Sequence, residues 1–363
     1  MNKMKQQSAW LVLLFLTVCL LGSLTANAKT VDEMRHKEIK KSYTVSKSDQ
    51  LKVSNRFGSI VVSHWARNEV EIRVVVESKA SSDERARREI DRVNIEINKA
   101  DRIITAETRL GEQKGNDQNG NRGERRLTIS YYISMPSYLT HELAQKYGNI
   151  TLPNENNGRS TIEVKYGNVY AGNFTEELDI TMKYGNLTAG NLKTARMDLG
   201  YCGNVSIGNA EMLSVVSKYS NLNLKQVDTL DLEQKYGNLN LRSADIARIE
   251  MKYSNAKLGL IKKKLDMDEM DYSEVAIEKL ASSFEHVDAS GRYGTLTIGL
   301  PHSASFRINA ENMRYGKCSI KGFNTTHSSV VNKTEYHYEI NGGKGGTIQF
   351  DGNEYSNLNV KQL

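Results

Sequence analysis

The residues able to do chemistry are scattered. Seven histidines (His36, His64, His141, His286, His302, His327 and His337) stand singly, none with a partner at metal-ligand spacing. Neither Gly-x-Ser-x-Gly nor His-Glu-x-x-His occurs, so nucleophilic and metal-dependent catalysis find no support in the sequence. Asp266, Asp268, Glu269 and Asp271 offer oxygen ligands for Ca²⁺, but without the glycine-marked regularity of a calcium loop. Gly342-Gly343-Lys344-Gly345-Gly346-Thr347 lacks the Gly-Lys-Ser/Thr register and the following helix of a phosphate loop. No catalytic residue, metal or cofactor is therefore expected. What remains is periodic: a column of lysines and a column of tyrosines, whose chemistry would be binding.

Both columns come from Lys-Tyr-Gly-Asn, which stands at Lys146–Asn149, Lys165–Asn168, Lys183–Asn186 and Lys235–Asn238. Variants at Tyr201, Tyr219, Tyr253, Tyr272, Tyr293, Tyr315 and Tyr355 extend it, with a spacing of 17 to 19 residues through the middle of the chain. A fixed short period marks stacked structural repeats. After each Asn the first and third residues are apolar, as in Ile150 and Leu152, Val205 and Ile207, or Leu239 and Leu241. Before each Tyr a second alternation runs, as in Leu232, Gln234, Tyr236 against Glu233, Lys235. Period two reads as half-buried strands. The fold class expected is all-β: a single-chain parallel β-solenoid of about 17–19 residues per rung, with an α+β amino-terminal cap.

This parity sends Tyr147, Tyr166, Tyr184, Tyr201, Tyr219, Tyr236 and Tyr253 into the core and the lysines outward. Gly148, Gly167, Gly185 and Gly237 are read as the corner residues, since glycine adopts positive φ without a Cβ penalty. In register, the repeats would make a tyrosine ladder inside the corner and an asparagine ladder along the turn. Candidate surface-binding residues are Tyr170, where other rungs carry Thr, Ser or Asn, and Lys165, Lys183, Lys235 and Lys252. Like charges about 5 Å apart in water repel by only about 0.8 kcal/mol. Glu163, Asp198, Glu233 and Glu250 lie two residues before the lysine position and are expected to make the face one of mixed charge.

The chain divides into three parts on this reading. Residues 1–28 read as a signal peptide: Lys3 and Lys5, an apolar run from Trp10 to Leu21, then Ala26-Asn27-Ala28 for cleavage. Cys19 lies in that run, with Val18 a poor fit to the position before a lipidated cysteine. Residues 29–140 read as the cap region, with a first corner at Asn55-Arg56-Phe57-Gly58, a strand over Glu69–Glu77, a capping box from Ser81 to Glu84 opening a short helix, three further strands, and a mobile loop over Gly111–Arg125. Residues 141–363 read as the repeat domain, loosening near its end and finishing on Tyr355–Val360, with a strand over Thr334–Ile340 and no anchoring helix. Cys202 and Cys318 fall six rungs apart, roughly 29 Å at the strand spacing, and read as buried free thiols, Cys202 being an inserted residue at a bulge. Formal charge falls from +6 to +4 without Lys3 and Lys5, and gives no reason to expect a nucleic-acid partner.

The Asn-Arg-Phe-Gly opening, Trp65 followed by Asn68-Glu69-Val70-Glu71-Ile72, the helical insertion, the polar loop and the serial Lys-Tyr-Gly-Asn rungs resemble one family. It is the exported "putative adhesin" family of Gram-negative bacteria with β-strand repeats, the head GIN-type domain class. The resemblance spans nearly the whole mature chain and implies an exported, envelope-located protein, and it carries no catalytic residues. Asp271-Tyr272-Ser273-Glu274 and the 40-residue gap from Tyr315 to Tyr355 depart from the pattern, which puts ladder continuity there in question. The expected function is non-catalytic: a repeat surface binding a glycan or a protein at the periplasm, the cell surface or outside. The alternatives are a polysaccharide-active enzyme on a β-helix scaffold, which would need a groove between long return loops, and a structural or signalling accessory protein of the periplasm.

Overall fold

The computed structural model describes residues 33–112 and 126–363. The signal-peptide reading and all but the first two residues of the expected mobile loop lie outside these. The described chain is all-β apart from one short helix, with 28 strands in one mixed sheet.

Through the middle of the chain each repeat pairs in parallel with the next, residue for residue. Ser160–Lys165 lies between Thr140–Lys146 and the first part of Asn173–Ala189, with Ile162 opposite both Leu143 and Ile180. The same register carries Ile180 onto Met197, Val215, Leu232 and Ile249, all buried. A second buried row runs Ile150, Val169, Leu187, Val205, Leu222, Leu239. Burying each such side chain contributes about 1.5–3 kcal/mol relative to exposure. A lone repeat has nothing to bury against, so the rows form only when repeats stack.

The ends depart from chain order. At the amino end Gln50–Arg56 sits between Ile103–Leu110 and Thr140–Lys146, and Ile60–His64 between Arg126–Met135 and Ile150–Thr151. The Phe57 corner is thus joined directly to the Tyr147 corner, and the intervening chain folds over its outer side. Glu33–Thr44, Glu69–Ala80 and Arg126–Met135 pair antiparallel, as do Val93–Ala100 and Ile103–Leu110. Helix α1, Asp83–Asp91, buries Ala86 and Ile90. Its N-cap is Ser82 rather than Ser81: Ser82 is the extended residue, and its hydroxyl accepts from the Arg85 backbone N–H.

At the carboxy end Thr347–Glu354 inserts between His286–Arg292 and Phe306–Glu311, parallel to both. Asn357–Gln362 likewise separates Thr295–Leu300 from Cys318–Lys321. The expected strand near Thr334–Ile340 is Glu335–Ile340, which pairs antiparallel with Thr325–Val331 in a hairpin. Cys202 is buried and marks a register shift between Gly185 and Asn186 on the neighbouring strand, as the inserted residue implied. Cys318 is only half-buried, because its strand has a partner on one side alone. Both thiols are free.

Candidate functional site

The corner does not have the geometry expected of it. Phe57 and all eleven corner tyrosines hold positive φ, between 50° and 62°. In that left-handed conformation the side chain swings off the strand's alternation, so parity counted through the corner fails at the Tyr. The correction is substantial: Tyr147, Tyr166, Tyr184, Tyr201, Tyr219, Tyr236 and Tyr253 face solvent, with 40% to 52% of each exposed. Left-handed backbone costs a non-glycine residue about 1–2 kcal/mol. Ring stacking, worth about 0.5–1.5 kcal/mol per pair, offsets it.

The rings form one uninterrupted stack. Phe57, Tyr147, Tyr166, Tyr184, Tyr201, Tyr219, Tyr236, Tyr253, Tyr272, Tyr293, Tyr355 and Tyr315 follow in spatial order, with centroids 4.7–5.3 Å apart and planes within 3° to 19°. Neither Tyr272 nor the long final spacing breaks it, because Tyr355 slots between Tyr293 and Tyr315. Ring faces therefore cover one another, and the solvent meets ring edges and hydroxyls.

The corner glycines serve a different need from the one assigned to them. A Cβ on Gly148 would lie 1.5 Å from the Gly58 carbonyl oxygen, on Gly167 1.8 Å from that of Gly148, on Gly185 1.7 Å from that of Gly167, and on Gly237 2.0 Å from that of Ser220. At these four corners the backbones of adjacent repeats approach too closely to leave room for a side chain. Where serine stands instead, its hydroxyl accepts the corner N–H of the adjacent repeat: Ser220 from Cys202, Ser254 from Gly237, Ser273 from Ser254.

Beside the ring stack runs the expected asparagine ladder. Asn149 Oδ1 accepts from Asn168 N–H, Asn168 Oδ1 from Asn186, and Asn186 Oδ1 from Asn204. Farther along, Asn221, Asn223, Asn238, Asn240 and Asn255, with Lys257, border an open groove of about 650 Å³. A second such ladder, Asn173, Asn191 and Asn209, edges another groove of about 570 Å³. It was not anticipated, although Gly172-Asn173, Gly190-Asn191 and Gly208-Asn209 recur every 18 residues and announce it. Tyr170 points outward as expected, in a row with Thr151 and Thr188.

On the other side of the ring stack is the cation column. Its register runs Arg56, Lys146, Lys165, Lys183, Gly200, Lys218, Lys235, Lys252, Asp271, and farther on Arg292, Glu354, Arg314. Asp271 and Glu354 stand directly before Tyr272 and Tyr355, a position visible in the sequence but read there only for its cations. Lys235 pairs with Glu233 at 2.6 Å, Lys252 with Glu269 at 2.6 Å and Arg292 with Asp271 at 2.7 Å. The bond from Lys235 holds the Glu233 carboxyl below its usual range, and that from Glu269 raises the Lys252 ammonium. Burial pushes the Asp271 carboxyl up, but Arg292 outweighs it and the net shift is downward. Asp268 pairs with Arg248, so three of the four acids weighed as calcium ligands are committed to cations.

The one buried histidine, His141, lies between Leu51 and Ser160 in a row that Leu178 continues. Its Nδ1 bonds the Leu139 carbonyl at 3.0 Å and its Nε2 the Ser160 hydroxyl at 2.9 Å. Complete burial lowers its pKa to about 4. The Ser–His contact is sealed in the core, with both residues at most 1% exposed, so it is packing and not a nucleophile.

No protein-family model matches the chain, and no curated protein matches it in sequence. Solved structures to which it is similar include a "putative adhesin" of Parabacteroides distasonis, at 11% identity over 90% of this chain and 97% of that one, TM-score 0.36. A "putative adhesin" of Parabacteroides merdae is similar at 12% identity over 89% and 96%, TM-score 0.31. A "putative lipid binding protein" of Parabacteroides distasonis is similar at 11% identity over 89% and 96%, TM-score 0.28. Likeness at this level decides nothing about what the chain binds. Among the described residues no helix is long and apolar enough to cross a membrane.

Proposed function

We propose that this chain is an exported, non-catalytic parallel β-solenoid whose tyrosine corner binds an extended glycan at the cell envelope. The observation that carries the reading is the strip itself. Eleven tyrosine rings are held facing solvent, at one ring per repeat, against the local backbone preference of each residue. A backbone cost repeated at every corner is an outlier that points to use of the surface it creates. Asparagine amides on one side and ammonium groups on the other offer donors and acceptors at the same spacing, which suits a polymer with a repeating hydroxyl pattern. Export rests on the reading of residues 1–28, and the solenoid form on register pairing of successive repeats.

Affinity electrophoresis through gels containing a panel of bacterial and host polysaccharides tests it. Retardation by at least one glycan, lost when Tyr166, Tyr184 and Tyr236 are replaced by Asn, is the expected result. Asn tolerates left-handed backbone, so those variants keep the corner. Uniform migration through every gel removes the glycan and directs the search to a protein partner.

A further inference from the structure

The cation column is not one surface. Arg56, Lys146, Lys165 and Lys183 occupy four successive positions in parallel register, one strand step apart. None of the four has an ion pair among the described residues, whereas Lys235, Lys252 and Arg292 all do. The sequence shows why. In the row two residues nearer the amino terminus, the partners of this run are Ser54, Ala144, Glu163 and Thr181, with one acid among four. For Lys235 and Lys252 the same row carries Glu233 and Glu250, and the column itself turns acidic at Asp271 and Glu354. The expected mixed-charge face is thus concentrated in the carboxy-terminal half, with Glu163 the one acid of this row in the amino-terminal run. In the amino-terminal half, Lys146 and Lys165 lean over their own tyrosines, with Nζ 5.2 Å and 5.3 Å from the ring centroids. Their ammonium groups thereby border the strip.

Resting on the glycan reading above, we infer that this half of the strip selects a linear acidic polysaccharide, a polyuronate, lying along the stacking direction with about one sugar per repeat. An extended chain of 1,4-linked pyranoses advances by roughly one strand spacing per residue, on the order of 5 Å. Successive sugars of such a chain face opposite sides, so alternate carboxylates meet the cation column while hydroxyls meet the tyrosine edges and asparagine amides. Four like charges held in line are complementary to such a polymer and repel a second copy of the same strip. Single-stranded nucleic acid, the other common linear polyanion, is bound by stacking its bases on aromatic faces. Along this run each tyrosine lies between two rings, so its faces are covered.

The test compares three gels, containing polygalacturonate, the same polymer after carboxyl reduction, and single-stranded DNA, on the full chain and two variants. Retardation by polygalacturonate is expected, weakening as ionic strength rises. It should fall by about tenfold or more in K146Q/K165Q/K183Q, as loss of three exposed cation contacts implies. K235Q/K252Q should stay within about twofold, since those lysines are already paired. Equal retardation by the reduced polymer overturns the acidic selectivity while leaving glycan binding intact. Loss in K235Q/K252Q equal to that in the triple variant overturns the assignment to the amino-terminal half. DNA retardation matching that of polygalacturonate makes the strip a general polyanion surface and overturns the polyuronate. No retardation by either sugar polymer overturns the inference, and the wider polysaccharide panel then decides the glycan reading by itself.

Discussion

The middle of the molecule and its two ends use the same corner under different rules. From Tyr147 to Tyr253, neighbours in space are neighbours in sequence, and every ring lies between the rings of the preceding and following repeats. At the ends the chain leaves and returns. Phe57 meets Tyr147 across 90 residues of sequence, and Tyr355 enters between Tyr293 and Tyr315. The position of a repeat is therefore set by backbone pairing and ring stacking and not by its order in the chain. If so, damage in the middle should spread to both neighbours, and damage at an end to one.

The sharpest contrast lies in the glycines. Gly167→Ala drives a Cβ to within 1.8 Å of the Gly148 carbonyl oxygen and 2.6 Å of its carbon, so the backbone of one repeat must shift against the other to admit it. A loss of about 3 kcal/mol or more is expected from urea unfolding. Gly342→Ala, in the carboxy-terminal turn, meets nothing within 4 Å but sits at φ +86°. It should cost about 1–2 kcal/mol, from backbone strain alone. Equal losses would mean that packing between repeats is no tighter in the middle than at the ends.

His141 stands where the amino-terminal excursion rejoins the middle, and it makes that junction sensitive to acid. The folded protein holds it neutral down to about pH 4, while the unfolded chain takes up its proton near pH 6.5. Its contribution to stability is full above pH 6.5 and is lost as pH falls from there to about 4. The loss is roughly 3 kcal/mol by linkage. His141→Leu matches the residues on either side of the row, Leu51 and Leu178. The difference between wild type and this variant, followed by thermal melts from pH 7 to pH 4, should show that slope. A constant difference would mean that His141 takes up its proton as readily in the fold as in the unfolded chain.

The same contrast marks what the sequence disclosed. Strand positions, the buried rows and the asparagine ladder follow from period-two alternation at a fixed repeat, and in the middle nothing competes with it. The tyrosine orientation was not legible, because alternation assumes an extended backbone and a left-handed residue inverts it. Positive φ is written into a sequence when glycine or asparagine supplies it, and here tyrosine does, with the adjacent glycine present for another reason. The order of the last repeats was hidden by the 31-residue stretch between Tyr315 and the start of Thr347–Glu354, whose hairpin delivers the returning strand to an inner position. The acids at Asp271 and Glu354 were legible, each standing directly before a corner tyrosine where other repeats carry Lys or Arg. What sequence order hid is which acid meets which cation, since Lys252 pairs with Glu269 and Arg292 with Asp271 across repeats.

Stacking between rings gives the smallest effect and the most direct test. Tyr236 lies 4.8 Å from Tyr219 and 5.1 Å from Tyr253, whereas Tyr315 has one neighbour, Tyr355 at 4.9 Å, and is 79% exposed. Alanine at either site keeps the left-handed strain and removes the ring, so the difference between the two variants isolates the stacking. Tyr236→Ala should lose two ring contacts, about 1–3 kcal/mol, and Tyr315→Ala one, about 0.5–1.5 kcal/mol. Tyr236→Asn should recover part of the first loss, because asparagine accepts left-handed backbone more readily. Urea midpoints for the three variants decide it. Were Tyr236→Ala no worse than Tyr315→Ala, each ring would be held by its own repeat, and the continuity of the stack would owe nothing to attraction between rings.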